Sequence, residues 1–357
     1  MQFDFNDDDF VWNVNILDNE TPSSRFDDVF KNQWLTAVES GVCRYRLTNL
    51  LTKILPGKFG FVAQLNSDRA TQRRLPQNLQ KVNSPFDGTQ FNFNKVPAQE
   101  VLLKPGNKAA AAAEVSTCVL SPGPIKDNEE EEAVIIINVS PLEFGNSLLV
   151  PNVTANIPQR ITQEGIDLLV RLMLLSTDVN LKAGFNSPGG YASVNHQHYH
   201  LYYLRERLYI ETVAVKHVAG PCFALTDFPS KGFAFQLTDK DPSLLAKNVF
   251  TLVSYLWANE IAHNLFVTRG KRFDDDDDAS LPHIYDTVRV FVWAREPAFG
   301  VKEEIGFNPA LCELAGHLLI KEGPAYEMVT EKEASQLLDS ITTPWFHQVG
   351  AHIGHLF

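Results

Sequence analysis

Residues 193–204 read SVNHQHYHLYYL, and three of the chain's ten histidines, His196, His198 and His200, occupy alternate positions within them. From Val194 to Leu204 the run is rich in Val, Tyr and Leu and holds no Gly or Pro, a composition that predicts an extended strand. Residues two apart on a strand share a face. His196, His198, His200 and Tyr202 are therefore expected on one side, and Gln197, Tyr199, Leu201 and Tyr203 on the other. The run follows NSPGG (186–190). Gly189 and Gly190 let the chain turn without a Cβ in the way and bring backbone N–H groups close to an anion, which makes them candidate ligand-binding positions.

Working outward, strand signals surround this stretch. AVIIINVSPLEFGNSLLVP (133–151) holds two β-rich runs, around Ile136 and Leu148, with a turn-rich interval between them, and predicts an antiparallel hairpin with a long loop. In PQRITQEGIDLLVRLMLLS (158–176), Ile161, Leu168, Leu169, Leu172 and Leu175 share a helical face. With Pro158 at its start, that spacing predicts a helix of about five turns. SRFDDVFKNQWLTAVESG (24–41) has helical spacing of Phe26, Val29, Phe30, Trp34, Ala37 and Val38, with Gly41 placed to end it. In the second half, Asp241 and Pro242 cap a further helix, and residues 263–270 and 286–295 read as strands. A helix is expected over 308–323, ending at Gly323, and Thr330 with Glu333 forms a capping-box pattern before the last one.

Strands and helices are thus mixed without regular β-α-β alternation, which gives an antiparallel α+β fold in two related halves. The expected division is an N-terminal tail over residues 1–25, a catalytic half over 26–230 and a second half over 231–357. An alanine tract, SPGP and acidic residues mark 104–132 as a variable loop.

Composition limits the function. A chain of 357 residues with 44% hydrophobic content can bury a large core. Its apolar runs fall well short of the ~20 residues of a membrane-spanning helix, and the acidic start MQFDFNDDDF does not resemble a secretory signal. Four scattered cysteines with no C-x-x-C pair point to neither a disulfide framework nor a thiolate zinc site, so a cytoplasmic location is expected. The net charge of −12, with acidic blocks at Glu129–Glu132 and Asp274–Asp278, repels polyanions and argues against nucleic-acid binding. Those blocks read as solvated loops. DDDDD lacks the Gly and terminal Glu of an EF-hand loop, so no metal is assigned to it.

Three chemistries compete for the histidine run. His-x-His on a strand chelates zinc or iron, but His196 and His200 would stand ~13 Å apart at ~3.3 Å per residue, so three ligands from one straight strand splay around a single ion. An exposed, histidine-rich strand face is the plainest alternative. The third is nucleophilic attack on phosphorus: a neutral imidazole forms a phosphoramidate intermediate and splits one displacement into two, while neighbouring imidazoles fix its tautomer, protonate the leaving oxygen and spread the developing charge.

At this point a family resemblance enters. HQHYH is similar to the His-x-His-x-His signature of the histidine-triad superfamily, and GFNSPGGYASVNHQHYHLYYL (184–204) resembles the GDP-D-glucose phosphorylase branch, relatives of plant GDP-L-galactose phosphorylase and more distantly of galactose-1-phosphate uridylyltransferase. GFVAQLNSDRATQRR (60–74), PFDGTQFNFNKV (85–96), VSPLEFGNSLLVP (139–151), DFPSKGFAFQL (227–237) and HNLFVTRG (263–270) resemble that branch in the same order, from about Phe26 to Gly323.

The resemblance implies a histidine-triad-like antiparallel sheet with flanking helices, the second half a degenerate copy of the first. It makes His198 the nucleophile, guanylylated on Nε2, with His196 orienting it through a backbone carbonyl and His200 facing the phosphates. His200 stands where plant members usually carry Gln, which favours the animal, GDP-glucose assignment. Ser193 matches a phosphate-contacting serine, and Asn195 beside it joins the substrate-binding candidates. Arg69, Arg73, Arg74 and Lys95 are the countercharges expected for pyrophosphate or incoming phosphate, with Asp227 and Lys231 as further candidates and His263 read as structural. Many superfamily members carry Gly-His where this chain has Gly145 and Asn146. The implied reaction takes GDP-glucose and inorganic phosphate to GDP and glucose 1-phosphate by ping-pong kinetics, with no cofactor and no metal, and the superfamily's habit of dimerising extends to a homodimer here. A nucleotide-sugar hydrolase using the same His198, a nucleotide-binding regulator that has lost catalysis, and a metal-binding His-x-His protein are the competing functions.

Overall fold

A computed structural model describes residues 1–17, 22–107, 133–273, 283–299 and 306–357 of the chain. Both acidic blocks and residues 108–132 of the expected variable loop lie outside the described residues. In chain order the strands are β1 (Gln2–Phe5), β2 (Val14–Asn15), β3 (Leu51–Ile54), β4 (Val62–Leu65), β5 (Val101–Asn107), β6 (Val134–Ile137), β7 (Ser147–Val150), β8 (Leu181–Asn186), β9 (Tyr199–Tyr203), β10 (Lys216–Ala219), β11 (Cys222–Leu225), β12 (Gly232–Gln236), β13 (His263–Gly270), β14 (Ile284–Tyr285), β15 (Thr287–Ala294) and β16 (His317–Ile320). The α-helices are α1 (Arg25–Glu39), α2 (Ser67–Gln72), α3 (Gln163–Leu175), α4 (Pro242–Ala258), α5 (Leu311–Leu314), α6 (Gly323–Met328) and α7 (Glu331–Leu356).

Eleven strands form one sheet in the order β1-β5-β6-β7-β9-β8-β13-β15-β12-β11-β10. The expected hairpin is its β6–β7 pair, with Ile136 opposite Leu148. The topology repeats. Three strands, a helix and two strands lay down β5-β6-β7-β9-β8 around α3, and the same succession around α4 lays down β10-β11-β12-β15-β13. The two sets join through antiparallel pairing of β8 with β13. At that seam Gly184 leaves no room for a side chain, since a Cβ there would lie 2.4 Å from the Leu265 carbonyl oxygen. The changeover falls between Tyr203 and Lys216, ahead of the expected junction at 230, because β10 and β11 pair onward to β12.

Alternation across the central strands builds two layers. Leu265, Val267, Val288, Val290 and Val292 face a core shared with α1, α3 and α4; Phe266, Phe291 and Trp293 face a second core with α5 and the three-stranded sheet β16-β4-β3. Ser24, Asp241 and Thr330 cap α1, α4 and α7 by accepting from Asp27, Leu244 and Glu333 backbone N–H groups, as their sequence patterns require. No helix among the described residues is long and apolar enough to cross a membrane.

Four local expectations are corrected. The opening residues are no tail throughout: β1 pairs in parallel with β5, and Phe3 and Phe5 are buried, Phe3 edge-on to Phe26 at 5.7 Å. Residues 104–107, assigned to the variable loop, complete β5 in that pairing. The helix expected from Pro158 begins at Gln163 with Thr162 as its cap, because residues 157–160 are engaged with the histidine run. The helix expected over 308–323 stops after one turn. Gly316 takes φ +97°, open to glycine and strained for other residues, and redirects HLLI into β16, which pairs in parallel with β4; Gly323 then starts a helix rather than ending one.

Candidate active site

The histidine run is not one continuous strand. β9 begins at Tyr199, and the backbone N–H groups of Gln197 and His198 donate to the Ile157 carbonyl and to Gln159 Oε1 instead of to a neighbouring strand. Only from Tyr199 does the expected alternation hold, with Tyr199, Leu201 and Tyr203 in the helix-covered core and Tyr202 in the other. The rings still converge. His198 lies 5.3 Å from His200 between centroids, and Phe93 packs 5.4 Å from His196 and 5.1 Å from His198.

Hydrogen bonds fix the tautomers. His196 Nδ1 accepts from the Phe93 backbone N–H at 3.0 Å, so its proton is on Nε2. His198 Nδ1 lies 2.8 Å from the His196 carbonyl oxygen, which can only accept; Nδ1 therefore carries the proton, and Nε2 of the neutral ring keeps its lone pair. Burial pushes His198 down to about 4, opposed by the bond to the His196 carbonyl and reinforced by the His196 ring. Burial likewise takes His196 to about 4, and holds His200 well below the usual imidazole range with help from His198 and Arg69. All three are neutral near pH 7.

A residue without any sequence signature sets the position of His198. The Gln159 side chain is buried and reaches the backbone of the run from both sides: Oε1 accepts from His198 N–H at 2.9 Å, while Nε2 donates to the Asn186 carbonyl at 2.9 Å and the His198 carbonyl at 3.2 Å. Asn195 locks this clamp, accepting from Gln159 N–H and donating to the Ser84 and Pro85 carbonyls, while its own N–H bonds Gln77 Oε1. Its amide is thus used inside the protein.

His198 and His200 open on a cavity of about 210 Å³, to which Gly189, Ser193, Arg69 and Arg73 also contribute walls. Arg69 donates to the Ser140 carbonyl. Arg74, another lining residue, holds its guanidinium 3.3 Å from the Phe91 ring centroid. The other candidates are elsewhere. Lys95 is turned away onto the carbonyls of Gly88, Thr89 and Gln90; Gly190 lies behind the wall, accepting from Asn264; Asp227 pairs with Lys58 at the surface; Lys231 binds the Thr226 and Phe228 carbonyls. His263 is buried against Phe185, and its backbone exchanges hydrogen bonds with Ser187 below the glycine turn. Asn146, at the position of the superfamily's hairpin histidine, ties the Leu142 N–H to the Leu201 carbonyl.

The chain beyond β15 supplies further walls, from residues 298–299, the 308–313 segment with α5, and β16, which sequence reasoning did not foresee. Glu313 lines the cavity from α5, accepts from the Ala310 N–H at 3.0 Å, and is pushed up to about 7 by burial. Asn186 Oδ1 accepts from Leu311 N–H and Asn264, joining α5 to the sheet.

Residues 25–202 match the family described as GDPGP1-like, N-terminal domain, and residues 206–356 match GDPGP1-like, C-terminal domain. Over 345 residues the chain is 40% identical to GDP-D-glucose phosphorylase 1 of Danio rerio, covering 96% of this chain and 94% of the relative. The chain belongs to the GDP-D-glucose phosphorylase family. Within it, GDP-D-glucose phosphorylase 1 of Homo sapiens is 41% identical over 327 residues, covering 90% of this chain and 81% of the relative. The plant branch is more distant: GDP-L-galactose phosphorylase 2 of Arabidopsis thaliana is 30% identical over 336 residues, covering 90% and 74%. The break between the two family domains coincides with the topological changeover. The histidine-triad-like α+β fold is shared with yeast Ap4A phosphorylase Apa2, solved in complex with AMP, at TM-score 0.59 and 14% identity over 88% of this chain and 94% of that one.

Proposed function

We propose that this chain is a GDP-D-glucose phosphorylase in which His198 Nε2 carries the guanylyl group. Nε2 attacks the α-phosphorus of GDP-glucose; a P–N bond forms, the bond to the bridging oxygen breaks, and glucose 1-phosphate departs with the electron pair. An oxygen of inorganic phosphate then attacks the same phosphorus, the P–N bond breaks, and GDP leaves with the imidazole restored to neutrality. The observation that carries this reading is the Nδ1–H bond from His198 to the His196 carbonyl, which leaves the lone pair on the nitrogen available to the cavity. Arg69 and Arg73 supply positive charge in that cavity for the phosphates, and Ser193 and Gly189 border the same space.

Relatives named for GDP-D-glucose phosphorylase at 40–41% identity support this substrate over the plant hexose, together with a histidine at position 200. Free Cys43, Cys222 and Cys312 suit a reducing cytoplasm.

The test is incubation of the protein with GDP-glucose in the absence of phosphate. One guanylyl group should appear on His198 and be released as GDP when phosphate is added. Turnover with no labelled enzyme, or equal formation of GMP with and without phosphate, would reject the phosphorylase reading.

A further inference from the structure

Besides His198 and His200, the lining of the cavity has two chemically different parts. One is apolar, formed by Phe91, Val96, Ile136 and Leu148, which belong to a hydrophobic cluster that also contains Phe93 and Val194. The other is formed by Asn66, Asn308, Glu313 and Lys321. A nucleotide sugar with its α-phosphorus at His198 places a flat, largely apolar base on one side and a hydroxyl-covered hexose on the other. The base therefore belongs with the aromatic and aliphatic residues, and the hexose with the polar ones.

Two charged lining side chains accompany the apolar part, Arg74 over the Phe91 ring and Glu100 beside Val101 of the same cluster. Glu100 is half-buried, and no hydrogen bond engages its carboxylate among the described residues. Burial raises its affinity for a proton, and the charges of Arg74 and Arg44 oppose this and favour the carboxylate. The Arg74 guanidinium is stacked on Phe91. A carboxylate with both oxygens available is complementary to two parallel N–H donors, and a guanidinium to ring or carbonyl acceptors. Guanine offers both on neighbouring edges, with N1–H and the 2-amino group as donors and O6 and N7 as acceptors. Adenine puts an acceptor, N1, where the carboxylate would meet it, and a 6-amino donor where the guanidinium would.

We propose that Glu100 is the residue that selects guanine, accepting from N1–H and the 2-amino group while Arg74 donates to the O6 and N7 edge. This rests on the guanylyl-transfer reading of the site.

The test compares wild-type protein with Glu100→Gln and Glu100→Ala, using GDP-glucose, IDP-glucose and ADP-glucose as substrates and GDP, IDP and ADP as ligands in calorimetry. The hypoxanthine of IDP keeps N1–H and lacks the 2-amino group. Loss of hydrogen bonds to a charged acceptor is expected to lower kcat/KM for GDP-glucose by ~30-fold or more. The rate with ADP-glucose should stay the same or rise, and the preference for GDP-glucose over IDP-glucose should shrink from at least ~10-fold to within ~3-fold. Unchanged melting temperatures establish that the variants are folded, and the near-isosteric Gln variant decides the matter if the Ala variant is not. Unaltered GDP:IDP:ADP ratios in a folded variant would overturn the inference, whatever happens to the absolute rate. Should wild-type protein turn over none of the three sugars, guanylyl transfer fails on its own account. The binding ratios then decide: collapse of the GDP preference in Glu100→Gln supports guanine selection, and its persistence refutes it.

Discussion

Replacing Gln159 with Met preserves side-chain length and removes both hydrogen-bonding functions from beneath His198. The His198 N–H, the His198 carbonyl and the Asn186 carbonyl would each lose a partner in a buried setting. An unsatisfied buried polar group costs about 1–3 kcal/mol, so the three together destabilise the native arrangement by about 3 kcal/mol or more. The loop can relax only by moving His198, and a displacement of ~1 Å in a reacting group costs roughly 10²-fold in rate. The expected result is a fall in kcat of about two orders of magnitude with a lower urea midpoint, and a KM for GDP-glucose that changes far less because the cavity walls are untouched. Nitrogen-15 spectra of the imidazoles give a readout that general destabilisation would not move, since the tautomer of His198 should become mixed once its distance to the His196 carbonyl is no longer held. Gln159→Glu should be intermediate and improve as the pH is lowered, because the protonated acid recovers one donor. A Met variant with kcat within twofold of wild type and an unchanged urea midpoint would refute the clamp.

His198→Asn should lose at least ~10³-fold in rate and take up no label from GDP-glucose, since removal of a covalent nucleophile commonly costs ~10⁴ or more; phosphorolysis at the wild-type rate would remove His198 from the mechanism. With His198 depressed to about 4, kcat/KM should persist on acidification down to about pH 5, where a histidine of ordinary pKa ~6.5 would already be mostly protonated. Stability moves the other way. His196, His198 and His263 are buried neutral with pKa about 4 and titrate near 6.5 once unfolded, so their contribution is full above about pH 6.5 and is lost as pH falls toward 4. Urea unfolding at pH 5 should show a loss of at least ~2 kcal/mol relative to pH 7. Lys182 and Glu211 form a fully buried ion pair at 2.7 Å, with Tyr285 donating to Glu211. Lys182→Met should cost about 3–5 kcal/mol in chemical denaturation, and the double variant Lys182→Met/Glu211→Gln should recover much of that.

What the sequence disclosed was whatever repeats at a short, regular interval. Helices α1 and α4 carry their own caps in Ser24, Asp241 and Pro242, and β6, β7, β13 and β15 are rich in β-branched and aromatic residues, so each was readable where it stands. β1 was hidden because QFDF is too short for its period of two to stand out, and its pairing lies about a hundred residues away at Lys104. HLLI at 317–320 has helical neighbours, and only the parallel partner β4 makes it a strand. The site divides the same way. His196, His198 and His200 announce themselves by spacing, and Arg69 and Arg73 by charge within a motif. Lys95 carries an equivalent charge, but the 88–90 loop carbonyls bind it first. Gln159, Glu313 and Glu100 have no local pattern at all. They meet only because a bend before α3, the turn of α5 and the turn ahead of β5 bring them to one cavity, or beneath it.

The pairing of β8 with β13 across the middle of one continuous sheet has a bearing on how the chain could be divided. A nick between residues 204 and 215 would respect the family boundary, yet each fragment would present an open row of amide and carbonyl groups along an apolar strand. Produced separately, the fragments should aggregate; co-expressed, they should find each other along that edge and restore a working phosphorylase, since one brings His198 and His200 and the other Glu313 and its neighbours in the same cavity.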